Sequence, residues 1–82
     1  MFLIKEKVKM FPYKVIFDEK ALRIELIEFT NTYRTSARVT SAIKLTNTKF
    51  DVIFIHDGKK YEMLGWSKIT KKYSSLSILV SN

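Results

Sequence analysis

Two groups of basic residues have the spacing expected of a phosphate-binding surface. Arg34 and Arg38 are four residues apart, and Lys68, Lys71 and Lys72 follow the i, i+3, i+4 spacing of one helical face. Guanidinium and ammonium groups bind phosphate oxygens, and the free N–H groups at a helix N-terminus also favour an anion. If both segments are helices that cover the same sheet face, these five residues converge. The alternative is two solvated helical faces.

A third basic group alternates along the start of the chain. Lys5, Lys7 and Lys9 are spaced two residues apart, so they project from one face of a strand at intervals of about 6–7 Å. This interval is comparable with the phosphate spacing of a nucleic-acid strand. The alternative is that an edge strand carries these lysines to prevent pairing with another sheet.

Aromatic residues next to the basic groups are candidates for stacking on unpaired bases. Tyr33 precedes Arg34, Tyr73 follows Lys72, and Trp66 is a further possibility. The predicted nucleic-acid contacts are Arg34, Arg38, Lys68, Lys71, Lys72, Lys5, Lys7, Lys9, Tyr33 and Tyr73.

Catalytic and metal-binding patterns are missing from the sequence. His56 is the only histidine, there is no cysteine, and the eight acidic residues are scattered. Nucleophilic catalysis needs a nucleophile, a base and an orienting group, and zinc sites need clustered Cys or His ligands. Two glycines, Gly58 and Gly65, do not make a phosphate-binding loop. We therefore expect a protein that is not an enzyme and needs neither metal nor cofactor.

Composition limits the chain to one small basic domain over residues 1–82. Its formal net charge is +7, and 46% of its residues are hydrophobic, which is enough for a core. A charge excess of this size indicates polyanionic partners rather than a fold. No apolar run reaches the length of a membrane helix, and the first residues lack the order of a signal peptide. We expect a cytoplasmic protein that does not contact membranes.

The elements that must position these residues begin with strands. Residues 2–10 alternate between apolar residues and lysines, Pro12 interrupts, and residues 13–17 and 22–26 alternate again around a polar turn. This pattern predicts a hairpin. The alternative is a helix that begins at Asp18 as its N-cap and runs through residues 18–34.

The second half of the chain mixes helix and strand signals. Residues 35–47 have helical spacing, although alternation fits nearly as well, and residues 67–73 resemble a short helix. Asp57-Gly58 predicts a hairpin turn within residues 50–64, and residues 76–80 predict a final strand. The expected fold is α+β, with a small antiparallel sheet of about five to six strands and one or two short helices on one face.

This predicted order resembles the histidine-containing phosphocarrier (HPr) family of the sugar phosphotransferase system. The similar segments are residues 34–37 opening a helix, 49–51 leading into a strand and 57–59 at a tight turn. The resemblance covers about residues 21–80 and implies the scaffold only.

The chain departs from that family where the family does its chemistry. Thr32 occupies the position of the active histidine, Thr35 replaces the proline after the arginine, and Gly65 occupies the regulatory serine position. The family's last helix also has no counterpart. The resemblance therefore does not imply phosphotransfer.

The sequence predicts a small basic binding protein, with RNA or single-stranded nucleic acid as its partner. The alternative is an inhibitor of the kind that phages and mobile elements encode, which would bind an acidic surface of a host protein in the host cytoplasm. A homodimer paired through residues 2–10 is a further possibility. The sequence does not distinguish RNA, DNA and protein as partners.

Overall fold

The computed structural model describes residues 3–81, which form seven antiparallel strands in one sheet and contain no helix. The strands are β1 (Leu3–Lys7), β2 (Tyr13–Asp18), β3 (Arg23–Glu28), β4 (Arg34–Lys44), β5 (Phe50–His56), β6 (Lys59–Leu64) and β7 (Ser75–Ser81). Their order in the sheet is β1-β7-β6-β5-β4-β3-β2. The strands β2 to β7 thus form a meander, and β1 pairs with the last strand.

The short connection between β1 and β2 requires a strongly curved sheet. These two strands are the two edges, and a flat sheet of seven strands would separate them by about 29 Å. The chain from Lys7 to Tyr13 spans at most about 21 Å when fully extended. The sheet therefore curls until its edges face each other, with one concave and one convex face.

The concave face holds the hydrophobic core. The strands β2, β3, β5 and β6 place alternate side chains inward, as expected for a sheet with one buried face. The buried residues are Val15, Phe17, Ile24, Leu26, Ala37, Phe50, Val52, Phe54, Tyr61, Met63, Trp66 and Leu76. No charged side chain among the described residues is buried, so the charges surround this core on its surface.

Local turn chemistry fixes the two hairpins that the sequence predicts. Asp18 Oδ1 accepts hydrogen bonds from the N–H groups of Lys20 and Ala21 at 3.0 and 3.2 Å, which stabilises the β2–β3 turn. Asp57 and Gly58 both have positive φ, 53° and 72°, as a two-residue turn between β5 and β6 requires. Both hairpin predictions are confirmed.

The predicted α+β fold is wrong, and the predicted helix over residues 35–47 shows why. Most of this segment lies in β4, where a bulge shifts the register between Val39 and Ser41. Val39 pairs with Phe54 and Ala42 pairs with Val52, so two residues three apart face the same core. The extra residue of the bulge thus imitates helical spacing within a strand.

The second predicted helix, over residues 67–73, is a loop. Ser67 N–H donates to the Lys72 carbonyl at 2.9 Å, Lys71 N–H donates to the Ser67 carbonyl at 2.7 Å, and Lys71 has a φ of 54°. Ile69, the apolar residue of the segment, is 85% exposed. Without an apolar face to bury, this short segment gains nothing from helical packing.

Residues 18–34 and residues 2–10 both contribute strands to the sheet. The segment 18–34 contains strand β3, so the helical alternative there is wrong. The strand predicted over residues 2–10 is β1, Leu3–Lys7, paired with β7; Phe2, which was part of that prediction, lies outside the described residues. Within residues 3–81 there is no helix able to cross a membrane.

Candidate nucleic-acid interface

The loop over residues 65–74 lies opposite the β2 edge, and hydrogen bonds to strands β5 and β6 hold its two ends. Gly65 N–H donates to the Phe50 carbonyl at 3.0 Å, and the Ser74 hydroxyl and N–H both donate to the Leu64 carbonyl, at 2.9 and 3.0 Å. Trp66, only 3% exposed, meets Phe17 of β2 edge to face with 6.3 Å between ring centroids. This ring anchors the loop across the opening of the curved sheet.

An open groove of about 450 Å³ lies between this loop and β2. We call it the β2 groove. Its lining residues are Tyr13, Lys14, Val15, Phe29, Lys71, Lys72 and Tyr73. Three of these are aromatic, three are lysines and none is acidic, so the groove combines flat apolar surfaces with positive charge.

The aromatic side chains of the β2 groove differ in exposure. Phe29 is 69% exposed, whereas Tyr13 and Tyr73 are partly buried. Burial raises the pKa of the Tyr73 phenol above its ordinary value, which already lies well above neutral pH. Phe29 is therefore the most exposed of the three aromatic residues that line the groove.

The backbone of β2 contributes free hydrogen-bonding groups to the groove. Phe29 N–H donates to the Pro12 carbonyl at 3.3 Å, and Glu28 N–H donates to the Tyr33 carbonyl at 2.9 Å. These two bonds show which residues in and beside β3 bond toward β2 and which bond toward β4. Because antiparallel bonds alternate, Lys14 faces β3, whereas Tyr13 and Val15 direct their N–H and C=O groups to the open edge.

The predicted convergence of two basic groups does not occur. Arg34 and Arg38 lie on the convex face of β4, and four residues along a strand separate them by about 13 Å rather than one helical turn. Arg34 Nη1 also contacts Glu25 Oε1 at 2.6 Å. Neither arginine lines the β2 groove.

The three predicted lysines of residues 68–72 divide into two roles. Lys68 Nζ contacts Glu19 Oε1 at 2.7 Å and lies 5.7 Å from the centre of the Phe50 ring, so it ties the loop to the β2–β3 turn. Lys71 and Lys72 form no ion pair within residues 3–81 and line the groove beside Tyr73. Three of the ten predicted contacts, Lys71, Lys72 and Tyr73, thus line the same groove.

Lys5 and Lys7 lie on strand β1, Lys9 follows it, and none of the three lines the β2 groove. Lys5 Nζ contacts Glu62 Oε1 at 2.6 Å, and this bond raises the pKa of Lys5 and lowers that of Glu62. Asp51 is next to Glu62. Burial is the larger cause of the raised pKa of Asp51, and its hydrogen bond to Glu62 is the second. Part of this basic group is therefore neutralised by acidic neighbours.

Tyr33 is the remaining predicted stacking residue. It is 61% exposed in the turn before β4 but does not line the β2 groove. Sequence reasoning missed Tyr13, Lys14 and Phe29. The available signal was Phe29, a large apolar residue just before the polar residues 30–32, where a core residue is unexpected.

Comparisons with protein-family models, curated protein sequences and solved structures find no match to this chain. No cluster of three or more potential metal ligands is present in the described part of the chain. The β2 groove, defined by its own geometry, is thus the basis for a functional proposal.

Proposed function

We propose that this protein binds single-stranded nucleic acid, either RNA or DNA, in the β2 groove. The observation that carries the proposal is the set of three aromatic residues and three lysines, without an acidic residue, around one open groove. The proposal assigns no catalytic step to this site.

The two types of side chain suit the two parts of a nucleotide. Base stacking on an aromatic ring contributes about 1–3 kcal/mol per base and tolerates any base. Phe29 and Tyr73 are the rings available for this contact. Lys14, Lys71 and Lys72 would neutralise phosphates and release counterions, which makes the affinity depend on salt.

The open β2 edge favours unpaired bases over a duplex. The N–H and C=O groups that Tyr13 and Val15 direct outward would bond the edges of bases that are not already paired. A duplex uses those base edges internally and keeps its bases away from the aromatic rings. The same groove therefore predicts a preference for single strands.

Fluorescence anisotropy with an unstructured RNA of about eight nucleotides tests the proposal. We expect binding at about 50 mM salt, weakening as salt rises, and weaker binding to a duplex of the same sequence. Phe29→Ala should reduce affinity by about tenfold. The matched control is Tyr33→Ala, which removes a similarly exposed ring outside the groove.

Two results would reject the proposal. The first is no binding at low salt. The second is an equal loss of affinity in Phe29→Ala and Tyr33→Ala, because the groove would then have no special role. Thermal unfolding of both variants should remain close to that of the wild type, since both side chains are mostly exposed.

A second candidate function rests on the same open edge. An extended acidic segment of another protein could add to β2 as a further strand, with its carboxylates near Lys14, Lys71 and Lys72. A synthetic peptide of alternating Glu and Val is the probe. Slowed amide exchange of Tyr13 and Val15 with this peptide, together with no RNA binding, would favour the second candidate.

A further inference from the structure

The pairing register aligns basic residues in one row across the convex face. Arg38 pairs with Ile55, Ile55 with Lys60, Lys60 with Leu79, and Leu79 with Lys5. Laterally paired residues point to the same face, so these side chains all lie on the convex side of the sheet. The row crosses five strands and contains no acidic residue.

The register extends this row by one strand. Ile24 pairs with Ala37, so the preceding residue of β3, Arg23, lies beside Arg38; on its other side Arg23 pairs with Asp18 of β2, where the basic row ends. We call Arg23, Arg38, Lys60 and Lys5 the convex row. All four are exposed, and Arg23, Arg38 and Lys60 form no ion pair within residues 3–81. Lys5 retains its contact with Glu62.

The convex row has a spacing that suits alternate phosphates rather than one bound anion. Neighbouring strands are about 4.8 Å apart, so Arg38 and Lys60 are separated by about 10 Å, as are Lys60 and Lys5. Ile55 and Leu79 lie between them and are only partly buried. A flexible polyanion lying across the strands would contact each cation in turn.

Basic residues also connect the convex row to the β2 groove. Lys14 lines the groove, pairs with Ile27, and Ile27 pairs with Arg34 on the convex face. Arg34 lies about 13 Å from Arg38 along β4. The contact between Arg34 and Glu25 occupies part of the guanidinium, which has five N–H donors in all.

We infer that the convex row binds the phosphates of the same nucleic-acid strand after it leaves the β2 groove. This inference rests on the proposed function. The path from Lys14 to Lys5 measures about 40 Å along the sheet surface. The protein should therefore cover a longer strand than the groove alone holds, within the range of roughly 4–16 nucleotides known for small single-strand-binding domains.

The test compares a trinucleotide with a single strand of about twelve nucleotides, each measured against salt concentration. The variant is Arg38→Gln/Lys60→Gln, and the control is Lys44→Gln/Lys49→Gln, which removes the same charge from exposed positions outside the row. For the longer strand, we expect the salt slope of the row variant to fall by about 0.7 per lost phosphate contact. The trinucleotide affinity should not change.

The outcomes separate this inference from the proposed function. An unchanged salt slope with the longer strand, or the same fall in the control variant, would overturn the convex row while leaving trinucleotide binding in the groove intact. If Phe29→Ala has no effect on either ligand but the row variant weakens the longer strand, the groove proposal fails, and with it the path from groove to row; the convex row would then bind nucleic acid independently of the groove. Thermal unfolding should show that both double variants remain folded.

Discussion

The two edge strands of the sheet, β1 and β2, differ in what surrounds their unpaired backbone groups. Each edge strand leaves unpaired N–H and C=O groups that can pair with another chain. At the β1 edge, Val8 N–H donates to the Leu76 carbonyl at 2.8 Å, so alternation directs the backbone groups of Lys5 and Lys7 outward. At the β2 edge, the outward groups belong to Tyr13 and Val15, within an aromatic groove.

The difference shows that lysines on this chain do not share one role. On β1 they belong to the exposed strand itself, which is the usual protection against edge-to-edge pairing. Beside β2 the strand contributes Lys14, whereas Lys71 and Lys72 come from a loop more than fifty residues later in the chain. Lysines from this distant loop leave the β2 edge open and line the space beside it.

The largest expected effect is on stability, from a substitution at Gly65 in the loop that forms one wall of the β2 groove. Gly65 has a φ of 81°, and a Cβ there would lie 2.1 Å from Ser74 Oγ and 2.9 Å from its Cβ. Gly65→Ala should lower the free energy of unfolding by about 2–4 kcal/mol, measured by urea denaturation. Binding of RNA should weaken with it.

Gly58→Ala is the matched control for Gly65→Ala. Gly58 has a similar φ of 72° but open space around its missing Cβ, so its variant should lose only about 1–2 kcal/mol. Gly65→Ala/Ser74→Gly should recover part of the stability. Equal losses at the two glycines would contradict the steric role of Ser74.

The next effect compares the charges of the two edges directly. Lys71→Glu/Lys72→Glu and Lys7→Glu/Lys9→Glu change the net charge equally. We expect the first pair to lower affinity for a short single-stranded RNA by more than about tenfold, and the second by only about twofold. Equal losses would show that binding follows net charge and that the edges do not differ.

A smaller effect concerns self-association at the β1 edge. The backbone N–H and C=O groups of Lys7 face outward from β1. Lys7→Val removes the charge beside them, so the β1 strands of two molecules should pair more readily. Light scattering should then show an average mass that rises with concentration. The predicted homodimer through residues 2–10 is tested in the same measurement, because a wild-type chain that stays monomeric at high concentration contradicts it.

The smallest effect is a pH dependence that comes from Asp51 of β5. Burial raises the pKa of Asp51 above its ordinary value of 3.8, so its contribution is favourable at acidic pH and lost as pH rises through the raised pKa. Asp51→Asn should therefore be more stable than the wild type at pH 7, by less than about 1 kcal/mol. The difference should shrink on acidification.

RNA affinity provides the control for this variant. Asp51 lies outside the β2 groove, so binding of a trinucleotide should not change in Asp51→Asn. Thermal unfolding measured from acidic to neutral pH checks the stability difference. A variant that is less stable than the wild type at pH 7 would mean that the carboxylate makes a favourable contact.

Strands with strict alternation and defined turns were predicted correctly, whereas two segments were wrongly predicted to be helices. The hairpin around Asp57-Gly58 depends on local conformational preferences, so four or five residues suffice to recognise it. The helix prediction for residues 35–47 was wrong because the bulge between Val39 and Ser41 has no local signature that distinguishes it from helical spacing. The β-branched residues of that segment, such as Thr35 and Val39, were the available evidence for a strand.

The sequence by itself determined the charge, the strand alternation and the positions of the tight turns, because these depend on residue types and near neighbours. Only the tertiary structure decided which basic residues lie together. Lys14, Phe29 and Lys72 meet in one groove because the sheet curls and Trp66 holds the loop of residues 65–74 across its opening. That arrangement depends on contacts between residues far apart in the chain, which no spacing rule along the sequence encodes.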